Sequence, residues 1–146
     1  MSQPTGTEGP DRIADDDESD VQELLERMGR ALTAGDARTV ASLWETPALM
    51  LGDEVLQAPR SRADLEQIFA GAKAQYNKMG IVDTRPDIVR LHWATPRIAI
   101  VQVRWPYLDA HGDEVGEETS TYTLRRSQAG DLKLVSAVMH GAAARH

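Results

Sequence analysis

The sequence contains no cysteine. Disulfide scaffolds, zinc–cysteine centres and thiol nucleophiles are excluded at the outset. Long apolar runs are missing too: nothing approaches the roughly 20 residues that span a bilayer. The opening, MSQPTGTEGPDRIADDDESD, has neither the basic nor the apolar region of a secretory signal. A soluble, cytoplasmic protein with no membrane partner is expected. There is no G-x-S-x-G elbow, no phosphate-binding glycine loop and no dinucleotide fingerprint, so no nucleotide cofactor is expected. The histidines, His92, His111, His140 and His146, include no closely spaced pair. They carry no metal-ligand signature, and the expected cofactor set is empty.

A basic stripe is also absent. The formal charge is -7, but residues 1–20 hold seven acids against the single Arg12, so the rest of the chain is nearly neutral. A body without excess Lys and Arg argues against nucleic-acid binding, which needs phosphate neutralisation. The acidic, Pro- and Gly-containing leader has too little apolar surface to order itself, and residues 1–18 read as a disordered tail. The remaining length is enough for one domain with one core, expected over 19–141 and followed by a short tail at 142–146.

What is present falls into two halves. Ser19 or Asp20 can cap a first helix carrying Val21, Leu24, Leu25, Met28 and Leu32 at helical spacing. "AGD" at 34–36 ends it and caps a second, with Val40, Leu43 and Trp44 on its apolar stripe up to Pro47. "ALML" and "EVLQA" read as short strands about a turn at Gly52 and Asp53. Ser61 caps a third, longer helix with Leu65, Ile68, Phe69, Ala72 and Tyr76 on one side and Gly80 at its end. The period then becomes two. Four strands are predicted, near 81–92, 97–108, 115–126 and 132–140, with connections short enough for consecutive antiparallel pairing. The fold class is α+β, a curved antiparallel sheet covered on one face by three N-terminal helices.

This order, with "RALTAGDARTVASLW", "SRADLEQIFAGAKAQY" and "GDLKLVSAVMH", resembles the nuclear transport factor 2-like superfamily, including its ketosteroid isomerase-like and SnoaL-like branches, over about residues 19–141. The resemblance implies a cone-shaped half-barrel with a cavity between sheet and helices, often dimeric through the outer sheet face. It embraces isomerases, dehydratases, cyclases and epoxide hydrolases as well as binding and scaffold domains. The aspartate base of the isomerase pattern finds its nearest match in Asp53 of "LGDEV". The first helix, where those isomerases keep a tyrosine donor, has none and presents Met28 instead.

Alternation predicts which strand residues share a face. Closing the "AHGD" hairpin places Trp105 opposite Glu118 and Val103 opposite Ser120. Ala99, Val101, Val103, Trp105 and Tyr107 then share the apolar, helix-facing side with Glu118, Ser120, Tyr122 and Leu124. Gln102, Arg104, Glu117, Thr119, Thr121, Thr123 and Arg125 face outward. A carboxylate buried beside aromatic rings is pushed toward neutrality and can act as acid or base. The last strand admits two registers: a two-residue turn with Ala137 and Met139 inside, or a longer loop with Gly130 left-handed. Amphipathicity favours the loop, which aims Leu132, Leu134, Val138, Ser136 and His140 inward and sets His140 against Glu118.

The candidate proton carriers are therefore Glu118, His140 and Asp53. The candidate ligand contacts are Met28, Trp44, Tyr76 and Val103, with Trp105, Tyr107, Ser120 and Tyr122. Plainer alternatives stand beside these: Glu118 and His140 on splayed strand ends that reach water, or His140 bonded to backbone; Asp53 as a turn residue; Trp44 and Tyr76 as ordinary core. Three functions remain open: a homodimeric binder of a small apolar molecule, a cofactor-independent isomerase, dehydratase or cyclase, and a dimeric scaffold.

Overall fold

The computed structural model describes residues 4–144, with side chains over 17–141. Eleven elements follow one another: α1 (Pro4–Ala34), α2 (Ala37–Ser42), β1 (Trp44–Gly52), β2 (Val55–Gln57), α3 (Arg62–Phe69), α4 (Ala72–Lys78), β3 (Asp83–Thr84), β4 (Asp87–Trp93), β5 (Ile98–Leu108), β6 (Glu114–Arg126) and β7 (Leu132–Ala144). They make one α+β unit, with the helices laid on the inner face of a single sheet.

The helix starts follow local chemistry. Asp36 caps α2, its carboxylate accepting from the Thr39 backbone N–H at 3.1 Å and the Thr39 hydroxyl at 2.6 Å. Ser61 caps α3 by accepting from Asp64 N–H at 3.1 Å, while the Asp64 side chain accepts from Arg60 N–H at 3.0 Å. The start of α1 differs from expectation. The helix runs without interruption through Ser19 and Asp20, back to Pro4, where the composition points to a solvated tail. One physical reason lies at the far end of the chain: Arg126 donates to Asp17 at 2.7 Å and to Asp20 at 3.1 Å, pairing acids that the sequence leaves without partners.

Two other elements are shorter than their periodicity suggests. Trp44 opens strand β1 and does not end α2. The expected long third helix is cut at Ala70–Gly71 into α3 and α4, because a glycine in a helix interior has neither side-chain packing nor a restricted backbone to hold it there. Pro86 likewise divides the first meander strand into β3 and β4, since proline cannot donate to a ladder.

The strand order is β2-β1-β7-β6-β5-β3, with β4 also on β5. From β4 onward the sheet is the antiparallel meander expected, but β1 joins β7 in parallel, so the sheet is mixed. The β5–β6 register is the expected one, Trp105 opposite Glu118 and Val103 opposite Ser120, with Val115 as an extra residue near the turn. The β6–β7 register starts as expected, Leu124 opposite Leu134, with Gly130 at φ 100° in the loop. It then slips twice. Thr123 pairs with Ser136, leaving Val135 over, and Thr119 pairs with Gly141, leaving His140 over. Each extra residue reverses which face the following side chains take. β7 also continues past the predicted stop at 140, with backbone pairing up to Ala144.

The core lies between α1, α2 and α3 and the inner sheet face. Val21, Leu25, Leu65, Val101, Val103, Leu124 and Leu134 are essentially inaccessible to solvent. Each such aliphatic side chain stabilises the fold by about 1.5–3 kcal/mol. Gly29 sets the spacing of the layers: a Cβ there would lie 3.0 Å from Cζ3 of Trp105, so α1 rests directly on the indole. One further shift of face is seen in β4, where a bulge at Val89 turns Ile88 inward beside Leu91 and Trp93 and leaves His92 exposed.

Candidate ligand pocket

Between α1, α4 and the inner face of β1, β5, β6 and β7 the helices do not close completely on the sheet. They leave a pocket of about 310 Å³. Sheet curvature and the break at Gly71 both shape it: α4 stands at its rim, contributing Tyr76, Gln75 and the half-exposed Met79. Trp44 and Phe69 form a tilted pair at one side, centroids 6.1 Å apart, and Tyr76 and Tyr107 another, 5.9 Å apart at 58°.

The lining is concentrated in a way that the composition hides. Aromatic residues make up only 5% of the chain, yet of its three Trp, three Tyr and one Phe only Trp93 stays away from this pocket. Every methionine after Met1 reaches it: Met28, Met50, Met79 and Met139.

Its polar atoms form two hydrogen-bonded sets. The Trp105 indole N–H donates to the Tyr122 hydroxyl at 2.8 Å, and that hydroxyl is also bonded to Ser120. The Tyr107 hydroxyl donates to Oε1 of Glu118 at 2.6 Å, a length typical of an O–H donor on a charged acceptor. Among the described residues Tyr107 is the one hydrogen-bond donor to Glu118. Burial and, second, the Glu118 charge push the Tyr76 phenol up to about 12. Tyr107 is raised by burial and then by its bond to Glu118. Tyr122 is raised by burial, against its bonds to Ser120 and Trp105, which act the other way. All three are neutral donors across the physiological range. The indole N–H of Trp44 is buried and has no partner among the described residues.

A family model described as NTF2-like protein (DUF6841) matches residues 16–142. This chain belongs to that NTF2-like family. Solved structures agree on the fold. An NTF2-like protein with a cystatin-like fold from Novosphingobium aromaticivorans superposes with a TM-score of 0.68 at 17% identity, covering 96% of this chain and 90% of the other. A ketosteroid isomerase-like protein from Erwinia carotovora atroseptica gives 0.58 at 13%, covering 82% and 94%. A Catenulispora acidiphila structure in complex with S-DNPA gives 0.60 at 13%, covering 84% and 92%. A comparison with proteins of curated function gives no match. At these identities the likeness speaks for the fold alone.

Within the NTF2-like frame, the sequence-predicted residues divide sharply. Met28, Trp44, Tyr76, Trp105, Tyr107, Glu118, Ser120 and Tyr122 all reach the pocket. Three do not. Val103 is inward but fully buried in the core and does not line the pocket. Asp53 occupies the exposed turn between β1 and β2, away from the lining. His140 is carried to the outer face by the slip in β7, where Nε2 lies 2.7 Å from the Thr121 hydroxyl; the expected Glu118–His140 couple does not form, and Glu118 faces the Ala142 backbone position instead. Val138 and Ser136, expected inward, lie on the other parity for the same reason, and Ala137 and Met139 take their place.

Sequence reasoning missed Met50, Phe69, Gln75, Met79 and Met139 as lining residues. Ala137 and Met139 were visible as the alternative register, and Phe69 as an apolar position of the third helix. Gln75 and Met79 follow the helix break at Ala70–Gly71 and carry no periodic signal. Outside the pocket, Arg104 joins Asp87 at 3.0 Å and Glu117 at 2.9 Å, and also Glu114, on the outer face. No metal-binding cluster exists among the described residues, and no described helix is long and apolar enough to cross a membrane.

Proposed function

We propose that this NTF2-like chain is a small-molecule-binding domain whose ligand occupies the pocket between α1, α4 and the sheet. One observation carries the reading: a chain poor in aromatics gathers nearly all of them, and all its internal methionines, around one space. A fold that needed only a core has no reason to leave that space open, because an unfilled apolar gap forfeits packing contacts. Its volume lies at the low end of small-molecule sites, roughly 300–1,000 Å³. Methionine, flexible and polarizable, suits walls that must adapt to a ligand. That a chain of the same fold is solved in complex with S-DNPA accords with this reading.

The test uses a neutral flat hydrocarbon, naphthalene. Wild-type protein is expected to bind it with a change in tryptophan fluorescence and a raised Tm, and Ala72→Trp, which fills the pocket from its rim, is expected to abolish both. No response by the wild type overturns the reading. Native mass spectrometry of freshly purified protein would weigh any ligand carried through purification.

A second reading is a cofactor-independent isomerase, dehydratase or cyclase with Glu118 as the proton carrier. It is favoured by the carboxylate's single donor, Tyr107, which leaves acceptor positions to take a substrate proton. Glu118→Gln would then abolish turnover of an identified substrate while retaining its binding. For the outer sheet face we propose pairing of two copies, since Ile100 and Val138 are exposed there among threonines. Sedimentation at monomer mass would remove that element.

A further inference from the structure

Resting on the ligand-binding reading of this pocket, we propose that its ligand is a small protonated amine with a flat apolar body, the ammonium group seated on Glu118 beside the Tyr76 and Tyr107 rings. The first observation is the charge inventory of the walls. Among the described residues that line the pocket Glu118 is the only acidic or basic one; no described Lys, Arg or His joins it. In a space of about 310 Å³ no bound molecule lies far from that carboxylate. A second anion would be repelled through a medium that screens far less than water. A neutral molecule is tolerated, and a cation is attracted.

The second observation is the hydrogen-bond inventory. Tyr107 satisfies Oε1 of Glu118, and the remaining acceptor capacity has no donor among the described residues. An ionised carboxylate has about four lone-pair sites, and an ammonium group brings three donors. The third is ring placement. Tyr76 and Tyr107, tilted at 58° with centroids 5.9 Å apart, stand beside the carboxylate and present π surfaces of the kind that attract alkylammonium groups. Burial and the Glu118 charge also keep the phenols of Tyr76, Tyr107 and Tyr122 neutral, so the pocket gains no further negative charge that would need a counter-ion. Trp44, whose indole N–H has no partner among the described residues, lines the pocket where the ligand body would lie.

The experiment compares three probes of one shape: 2-naphthylmethylamine, 2-methylnaphthalene and 2-naphthoic acid, titrated at pH 7 into wild-type protein and Glu118→Gln. The amine is expected to bind about tenfold tighter than the hydrocarbon, the worth of one charge-assisted hydrogen bond, and the acid to bind more weakly than either. In Glu118→Gln the three affinities are expected to converge while the hydrocarbon's stays unchanged. Hydrocarbon binding with no preference for the amine, or with a preference for the acid, overturns this inference and leaves the pocket reading intact. Failure of all three to bind overturns both. The wild-type ranking alone decides between these outcomes, so the inference remains falsifiable even where the variant does not fold.

Discussion

Glu117 and Glu118 are neighbours in the chain and belong to different worlds. Glu117 lies on the outer face of β6 in a half-buried ion network around Arg104, in reach of water and salt. Glu118 lies on the inner face, held by one phenol in a pocket of rings and methyl groups. The same contrast runs through Arg104 and Trp105 on the paired strand. Strand alternation alone separates them, and burial sets how much each contact is worth. The outer Arg104 pairs keep contact with water, and the Tyr107–Glu118 bond is part-buried, whereas the Trp105–Tyr122 bond is fully buried and has no water to replace it.

Four experiments press on this contrast. The largest effect is expected on the inner face: Trp105→Ala removes a buried ring on which α1 rests, and should cost about 3–5 kcal/mol in denaturant unfolding. A loss below about 1 kcal/mol would mean that the indole does not bear the helix layer. Next comes Tyr122→Phe, which keeps the ring but strips the Trp105 N–H of its acceptor; about 1–3 kcal/mol is expected for a buried donor left unpaired. Both faces would look alike if this change proved neutral.

On the outer face, Arg104→Ala should cost at most about 1 kcal/mol despite three carboxylate partners, and the difference should shrink in high salt. A larger, salt-insensitive loss would show that the outer network is shielded as well. The smallest effect concerns protons. Tyrosine in the unfolded chain ionises near 10, while Tyr76 in the folded protein is held to about 12, with Tyr107 and Tyr122 also raised. Folding therefore favours the protonated phenols. Their contribution is fully present below pH 10 and is lost as pH rises toward 12, so stability should fall across that window. In Glu118→Gln the onset of native tyrosinate absorbance should move down, since the Glu118 charge helps raise all three. An unmoved onset would leave burial as the whole cause.

The legibility of the molecule follows the same division between local and distant causes. The pairing of Trp105 with Glu118 could be read because β5 and β6 are joined by a short turn and each alternates cleanly. The inner set from Trp105 to Tyr122 is therefore legible in the sequence. β6 and β7 also share a short loop, and their first pairs were equally readable, but two residues along β7 drop out of the ladder and reverse the rest. A regular strand would aim His140 inward. Gly141, at φ 104°, marks the second slip, yet a glycine there is compatible with an unbroken strand as well. The parallel seating of β1 on β7 had no signal in the sequence, because β1 and β7 lie at opposite ends of the domain.

The amino-acid order by itself determined the α+β class, the caps at Asp36 and Ser61, the inner and outer sets of the β5–β6 hairpin, and the absence of thiol chemistry. These depend on backbone stereochemistry and on side chains near one another in the chain. Tertiary structure alone decided where β7 slips, how α3 breaks from α4, and hence that methionines spread over the chain's length meet around one carboxylate. A curved sheet must shed residues to bend around its helices, and where it sheds them depends on packing between distant segments that no local pattern encodes.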